Sequence, residues 1–124
     1  MAWEVPLFMP GGLRADADLS ANQFHAVVMD TTDNDVVLAG AGVRCLGILQ
    51  NKPANGEEAA VMFAGFSKVV VGSGTGGLTA GDRWTPDASG EAVVAGTGDI
   101  ACGTVIEGAG EGGIATVTVG LDAD

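Results

Sequence analysis

Short apolar runs recur along the chain, each closed by glycine, proline or acidic turn residues. The first clear one is Phe24-His25-Ala26-Val27-Val28-Met29, ended by Asp30-Thr31-Thr32-Asp33-Asn34-Asp35. Residues 36–39 and 43–50 follow, then 59–64 and 66–71 around Gly65, then 83–85, 92–94, 100–106 and 115–119. Runs this short, with turn signals about every 8–12 residues, predict the strands of a small all-β sandwich or barrel. Asn55-Gly56 predicts a hairpin turn, and Gly65 a bulge or bend. The only helical hint is a single turn over residues 56–60.

The pattern is stated twice. Gly40, Gly42 and Gly47 map onto Gly96, Gly98 and Gly103 with one offset, which also carries Val37-Leu38-Ala39 onto Val93-Val94-Ala95. Leu19-Ser20-Ala21 resembles Leu78-Thr79-Ala80, and residues 60–65 line up with 115–120. The chain therefore divides into an extended N-terminal arm (1–18) and a single all-β domain (19–124). The domain holds two related units (19–65 and 78–120) joined by a glycine-rich bridge (66–77). Two copies are fewer than a solenoid needs, so the units are expected to share one core.

The arm stands apart from the repeat. Trp3, Val5, Leu7, Phe8 and Met9 are apolar, while Pro6 and Pro10 keep the backbone extended and remove donors that a central strand needs. These residues are the candidate partner-binding set, expected to lie across a neighbouring subunit. The competing arrangement is an edge strand on the arm's own domain.

At 124 residues, 47% hydrophobic, the chain has the length of one domain with a modest core. A net charge of −11 with five Lys and Arg argues against nucleic acid and against an anionic membrane surface. No run approaches the roughly 18 apolar residues of a membrane span. The start lacks the basic region of a signal peptide, so synthesis in a cytosol is expected, with Cys45 and Cys102 reduced and serving as small buried hydrophobes.

Chemistry is sparse. Gly72-Ser73-Gly74-Thr75-Gly76-Gly77 and Gly108-Ala109-Gly110-Glu111-Gly112-Gly113 fit the dinucleotide pattern, but neither is followed by the helix whose N-terminus would hold a pyrophosphate. The run Asp30, Asp33, Asp35 lacks the glycine and glutamate that a calcium loop places at its sixth and twelfth positions. His25 is the only histidine, and no spacing pairs it with Cys45 or Cys102 for catalysis or zinc. The sequence predicts no enzyme, no cofactor and no metal.

The series Asp18-Leu19-Ser20-Ala21-Asn22-Gln23-Phe24, Val37-Leu38-Ala39-Gly40-Ala41-Gly42, Gly47-Ile48-Leu49-Gln50-Asn51-Lys52-Pro53, Ser67-Lys68-Val69-Val70 and Leu78-Thr79-Ala80-Gly81-Asp82 resembles the bacteriophage capsid cement, or head decoration, proteins. The resemblance runs from about residue 18 to the C-terminus. It implies a β-tulip-like barrel or sandwich without catalytic residues. It also implies a virion location on the outer surface of the expanded head, after synthesis in the bacterial host cytoplasm. The implied partners are the major capsid protein and further copies of the chain, grouped as a homotrimer. The alternatives are an interaction module of a phage tail or baseplate, or a small glycan-binding module. Only Trp3, Trp84 and four Phe are available for sugar stacking.

Overall fold

A computed structural model describes residues 2–8 and 11–120. The elements among them are all strands: β1 (Val5–Phe8), β2 (Arg14–Ala15), β3 (Ala26–Met29), β4 (Asp35–Leu38), β5 (Gly47–Leu49), β6 (Val61–Met62), β7 (Ala64–Val70), β8 (Arg83–Pro86), β9 (Ala92–Val94), β10 (Gly103–Glu107) and β11 (Ile114–Val119). They form two sheets, a six-stranded one ordered β1-β7-β11-β10-β8-β9 and a five-stranded one ordered β2-β4-β3-β5-β6. The expected all-β sandwich is the observed architecture.

The same path is walked twice. Strands β4-β3-β5-β6 in one sheet and β9-β8-β10-β11 in the other have the same order relative to sequence. Val27 pairs with Leu38 and Gly47, as Trp84 pairs with Val94 and Gly103. Leu49 faces Val61 as Val105 faces Val117. The backbone bonds repeat as well: Leu19 N–H donates to Pro53 O and Leu78 N–H to Ala109 O, each at 2.9 Å. In the last strands the match differs by one residue from the sequence alignment, which set Val61 against Thr116. Side chains alternate with period two, so only the Val61–Val117 register keeps valines on one face.

The two copies are covered differently. Val27, Val36, Leu49 and Val61 point into a cluster closed by Leu13, Ala15, Leu19 and Ala59. Their counterparts Trp84, Ala92, Val105 and Val117 point into the core between the sheets, where Ala26, Ile48 and Met62 meet them from the other face of the first copy. The five-stranded sheet is thus buried on both faces, which is why its strands read as unbroken apolar runs. Its outer cover is residues 13–19, laced to the 53–59 connection by Ala15 N–H to Glu57 O, Gly56 N–H to Ala15 O and Ala59 N–H to Leu13 O, all 2.9 Å. Asn55-Gly56 does form a tight turn, closed by Glu57 N–H to Ala54 O at 3.0 Å, and it serves this cover and does not join two strands.

Two strands begin later than the apolar runs predict. β5 starts at Gly47 and β10 at Gly103, because residues 40–46 and 97–102 are drawn into loops that touch one another. Gly42 N–H donates to Pro86 O (2.9 Å) and Ile100 N–H to Gly42 O (3.1 Å). The repeated Gly-x-Gly loops are therefore the junction between the sheets.

Candidate interaction surface

Strand β7 alternates buried Gly65, Ser67 and Val69 with half-buried Phe66, Lys68 and Val70, so the latter three stand on the outward face of the six-stranded sheet. On neighbouring β11, Ala115, Val117 and Val119 join the core, leaving Ile114, Thr116 and Thr118 for the outward side. The Trp3 backbone is pinned there: its N–H donates to Thr116 Oγ1 at 2.9 Å, and the Thr116 hydroxyl donates to Trp3 O at 3.4 Å. Trp3 lies edge-on to Phe66, with centroids 5.2 Å apart and planes at 71°, and is 39% exposed. Two residues along, Lys68 Nζ stands 5.5 Å from the centre of the Phe24 ring, within cation–π range. Trp3, Phe66, Lys68 and Phe24 thus form an aromatic–cationic stripe on a strongly acidic protein.

Phe24 holds its place in an unfavourable backbone conformation, with φ at 66°. Its counterpart is Gly81, φ 94°, for Phe24 N–H donates to Leu49 O as Gly81 N–H donates to Val105 O. A left-handed conformation costs a non-glycine residue about 1–2 kcal/mol. The first copy retains a bulky aromatic where the second has the relaxed residue. Such local strain concentrates at functional positions.

The N-terminal arm is extended, and it is seated on its own domain. Val5–Phe8 is edge strand β1, antiparallel to β7 with Val5 opposite Phe66, Pro6 opposite Gly65 and Phe8 opposite Ala64. Within the chain this is the competing arrangement, an edge strand on the arm's own domain, for Val5 to Phe8 with Leu7 among them. An edge strand has an open side on which Pro6, lacking N–H, is tolerated, and a shift of register between Pro6 and Phe8 accommodates it. Residues 14–15 pair with β4 in the other sheet. Met9 and Pro10 of the candidate set lie outside the described residues.

The six repeat glycines have distinct jobs. Gly42 and Gly98 have positive φ, 70° and 88°. At Gly47 and Gly103 a Cβ would run into the Met62 and Thr118 carbonyls of the next strand. Gly40 and Gly96 have no such constraint, with nothing within 4 Å of a Cβ at Gly40 and only Asp99 Oδ2, at 3.5 Å, near one at Gly96.

The Gly72–Gly77 loop presents its amides inward to a side chain of this same protein. Gly74 and Gly76 N–H donate to Glu111 Oε2 at 3.0 and 2.8 Å. Turn-building by carboxylates is general here: Asp87 accepts from Ser89 and Glu91 N–H, Asp99 from Gly96, Asp82 from Thr79 and Asp18 from Ser20. His25 Nε2 lies 3.5 Å from Glu91 Oε2, and Nδ1 is 3.1 Å from Gln23 O. The cysteines lie elsewhere, at the loop junction.

In the acidic run, Asp35 binds Arg14 (Nη2–Oδ1 3.2 Å), and Asp30 meets Asp16, which the sequence did not single out. The Asp16 carboxyl is pushed up to about 6, first by its hydrogen bond to Asp30, then by lost hydration and by the charges of Asp30 and Asp35. The same bond holds Asp30 below the usual carboxylate range. The folded chain keeps a proton on Asp16 that the unfolded chain releases near 3.8. That stabilisation is complete below about pH 4 and is lost as pH rises through about 6. Carboxyl NMR titration is expected to place the Asp16 midpoint near 6 and to return it to the ordinary range in Asp30→Asn. A wild-type midpoint near 4 would contradict the shared proton.

No family model and no curated protein matches the chain. Among solved structures, the N base of head fiber gp8.5 in bacteriophage phi29 superposes with a TM-score of 0.75 at 18% identity, over 90% of this chain and 94% of that one. The two chains share a fold. The match takes in nearly all of both, so it includes both sheets.

Of the side chains in this stripe, sequence reasoning singled out Trp3 and did not single out Phe24, Lys68 or Thr116. The alternation Phe66-Ser67-Lys68-Val69-Val70 was readable as one outward face. What it lacked was the pairing of the arm with β7, a contact between segments some sixty residues apart.

Proposed function

We propose that this protein is a bacteriophage virion structural protein that decorates the outer surface of the expanded head and holds neighbouring major capsid protein subunits together. The observation that carries the reading is the fold shared, over nearly the whole of both chains, with a phage head fiber base. The resemblance to cement proteins, which runs from about residue 18 to the C-terminus, points the same way. The outward face of the six-stranded sheet is the docking surface: the stripe Trp3–Phe66–Lys68–Phe24 is apolar and cationic in a chain of net charge −11, and edge strand β1 borders it. Copies group in threes around the shell's local threefold positions. Binding to the assembled shell and not to its loosened form stabilises the shell by mass action, and many modest contacts act together.

Cosedimentation with expanded heads, procapsids and tails tests this. Occupancy of expanded heads, with density grouped in threes, is expected. Binding to tails alone, or isolated subunits on the shell, would overturn it. Trp3→Ala removes a side chain from the contact and is expected to weaken binding by at least tenfold, about 1.4 kcal/mol or more, with little change in melting. Phe24→Gly is the sharper variant, because it relieves backbone strain while deleting the ring: the fold should be as stable or more so, and binding weaker. Undiminished binding by both variants would exclude the stripe.

A further inference from the structure

The two thiols of the chain belong to different copies of the repeat, and the junction of the Gly-x-Gly loops brings them together. Cys45 N–H donates to Cys102 Sγ at 3.2 Å, and Cys102 Sγ lies 3.6 Å from Val43 O. Both side chains are half-buried and line an open cleft of about 420 Å³ with Val28, Met29, Arg44 and Leu46. A small oxidant therefore reaches them from solvent through that cleft.

We propose that Cys45 and Cys102 are an oxidative cross-linking site, which closes to an intramolecular disulfide on exposure to a small-molecule disulfide such as oxidised glutathione. The roles of the two sulfurs differ. Cys102 Sγ accepts the Cys45 amide, and its own S–H donates to Val43 O. Cys45 is held well above the ordinary thiol range by its side-chain hydrogen bond with Cys102 and by burial. Cys102 accordingly attacks first. Its thiol proton passes to solvent, its sulfur bonds one sulfur of the reagent, and one glutathione leaves as thiolate. Cys45 then loses its proton and displaces the second glutathione from the mixed disulfide. Two protein thiols and one glutathione disulfide become one protein disulfide and two glutathione thiols.

The cross-link would join the loop that leads into β5 to the loop that leads into β10, and so tie one sheet to the other. A protein made reduced in a cytosol would acquire this tie on reaching an oxidising medium. The inference does not depend on the proposed function, since it concerns only the chain's own sulfurs.

The test uses the full chain incubated with oxidised glutathione. Intact mass should fall by two hydrogens with no glutathione retained, both thiols should disappear from a thiol titration, and the chain should remain monomeric on non-reducing electrophoresis. The melting temperature should rise, on the order of 10 °C, and return on reduction. Cys45→Ser should retain a single glutathione adduct, Cys102→Ser should react little, and neither should show such a rise. A stable glutathione adduct on the wild type, a disulfide-linked dimer, unreacted thiols, or a disulfide without a higher melting temperature would each overturn the proposal.

Discussion

Replacing Trp84 by alanine is expected to remove about 3–5 kcal/mol of stability, the range for deleting a buried aromatic. Trp84 is fully buried in the core between the sheets. Its indole N–H donates to Thr118 O at 3.0 Å, tying a side chain of β8 to the backbone of β11, two strands away in the sheet. Alanine leaves a cavity and takes away that donor. For a domain at the low end of the usual stability range, about 5 kcal/mol, such a loss leaves about 0–2 kcal/mol and a sizeable share of the molecules unfolded. Trp84→Phe separates the two effects: it fills most of the volume, and its cost, about 1–2 kcal/mol, reports the hydrogen bond together with imperfect packing. Urea unfolding followed by circular dichroism measures both. A loss under 1 kcal/mol for alanine would mean that the two sheets do not rely on this side chain.

The second large effect is expected at Gly47 and Gly103. Alanine at either must push its Cβ against a carbonyl of the adjacent strand, and backbone in a paired ladder yields only by separating the strands. The expected loss is about 1–3 kcal/mol at each, as for other overpacked sites, and similar at the two because the surroundings repeat. Gly40→Ala and Gly96→Ala are the controls. With no carbonyl crowding a Cβ there and no positive φ, they should fall within about 0.5 kcal/mol of the wild type. Equal losses at all four positions would show that the repeat glycines act through chain flexibility and not through close approach.

Those glycines also mark how far the sequence could be read. The Gly-x-Gly spacing and the period-two runs are local signals, and they located most strands to within a few residues. The strand starts at Gly47 and Gly103 were misjudged because residues 43–46 and 100–102 lie at a loop junction. Cys45, Leu46 and Cys102 are half-buried there and Val43 and Ile100 exposed, so hydrophobicity does not imply a ladder. Trp3 was legible as an unusual apolar residue; its seat on Phe66 and Thr116 was not, because pairing between distant segments leaves no periodic trace. Phe24 was read as the start of a strand. Only its backbone angle, beside a glycine in the same place of the second copy, separates it from an ordinary core residue. The cysteine pair was hidden for a related reason: Cys45 lies two residues before its glycine and Cys102 one, so the alignment does not superpose them although the loops touch.

The unequal covering of the two copies has a consequence for synthesis. Among the described residues, the cluster beneath the five-stranded sheet runs from Leu13 to Phe63. The core between the sheets draws on residues as late as Val119. As the chain leaves the ribosome from its N-terminus, the first copy and its cover can close into a small packed unit while the second copy is still being translated. The exposed apolar side of that early unit, with Ala26, Ile48 and Met62, then serves as the template on which β8 to β11 assemble.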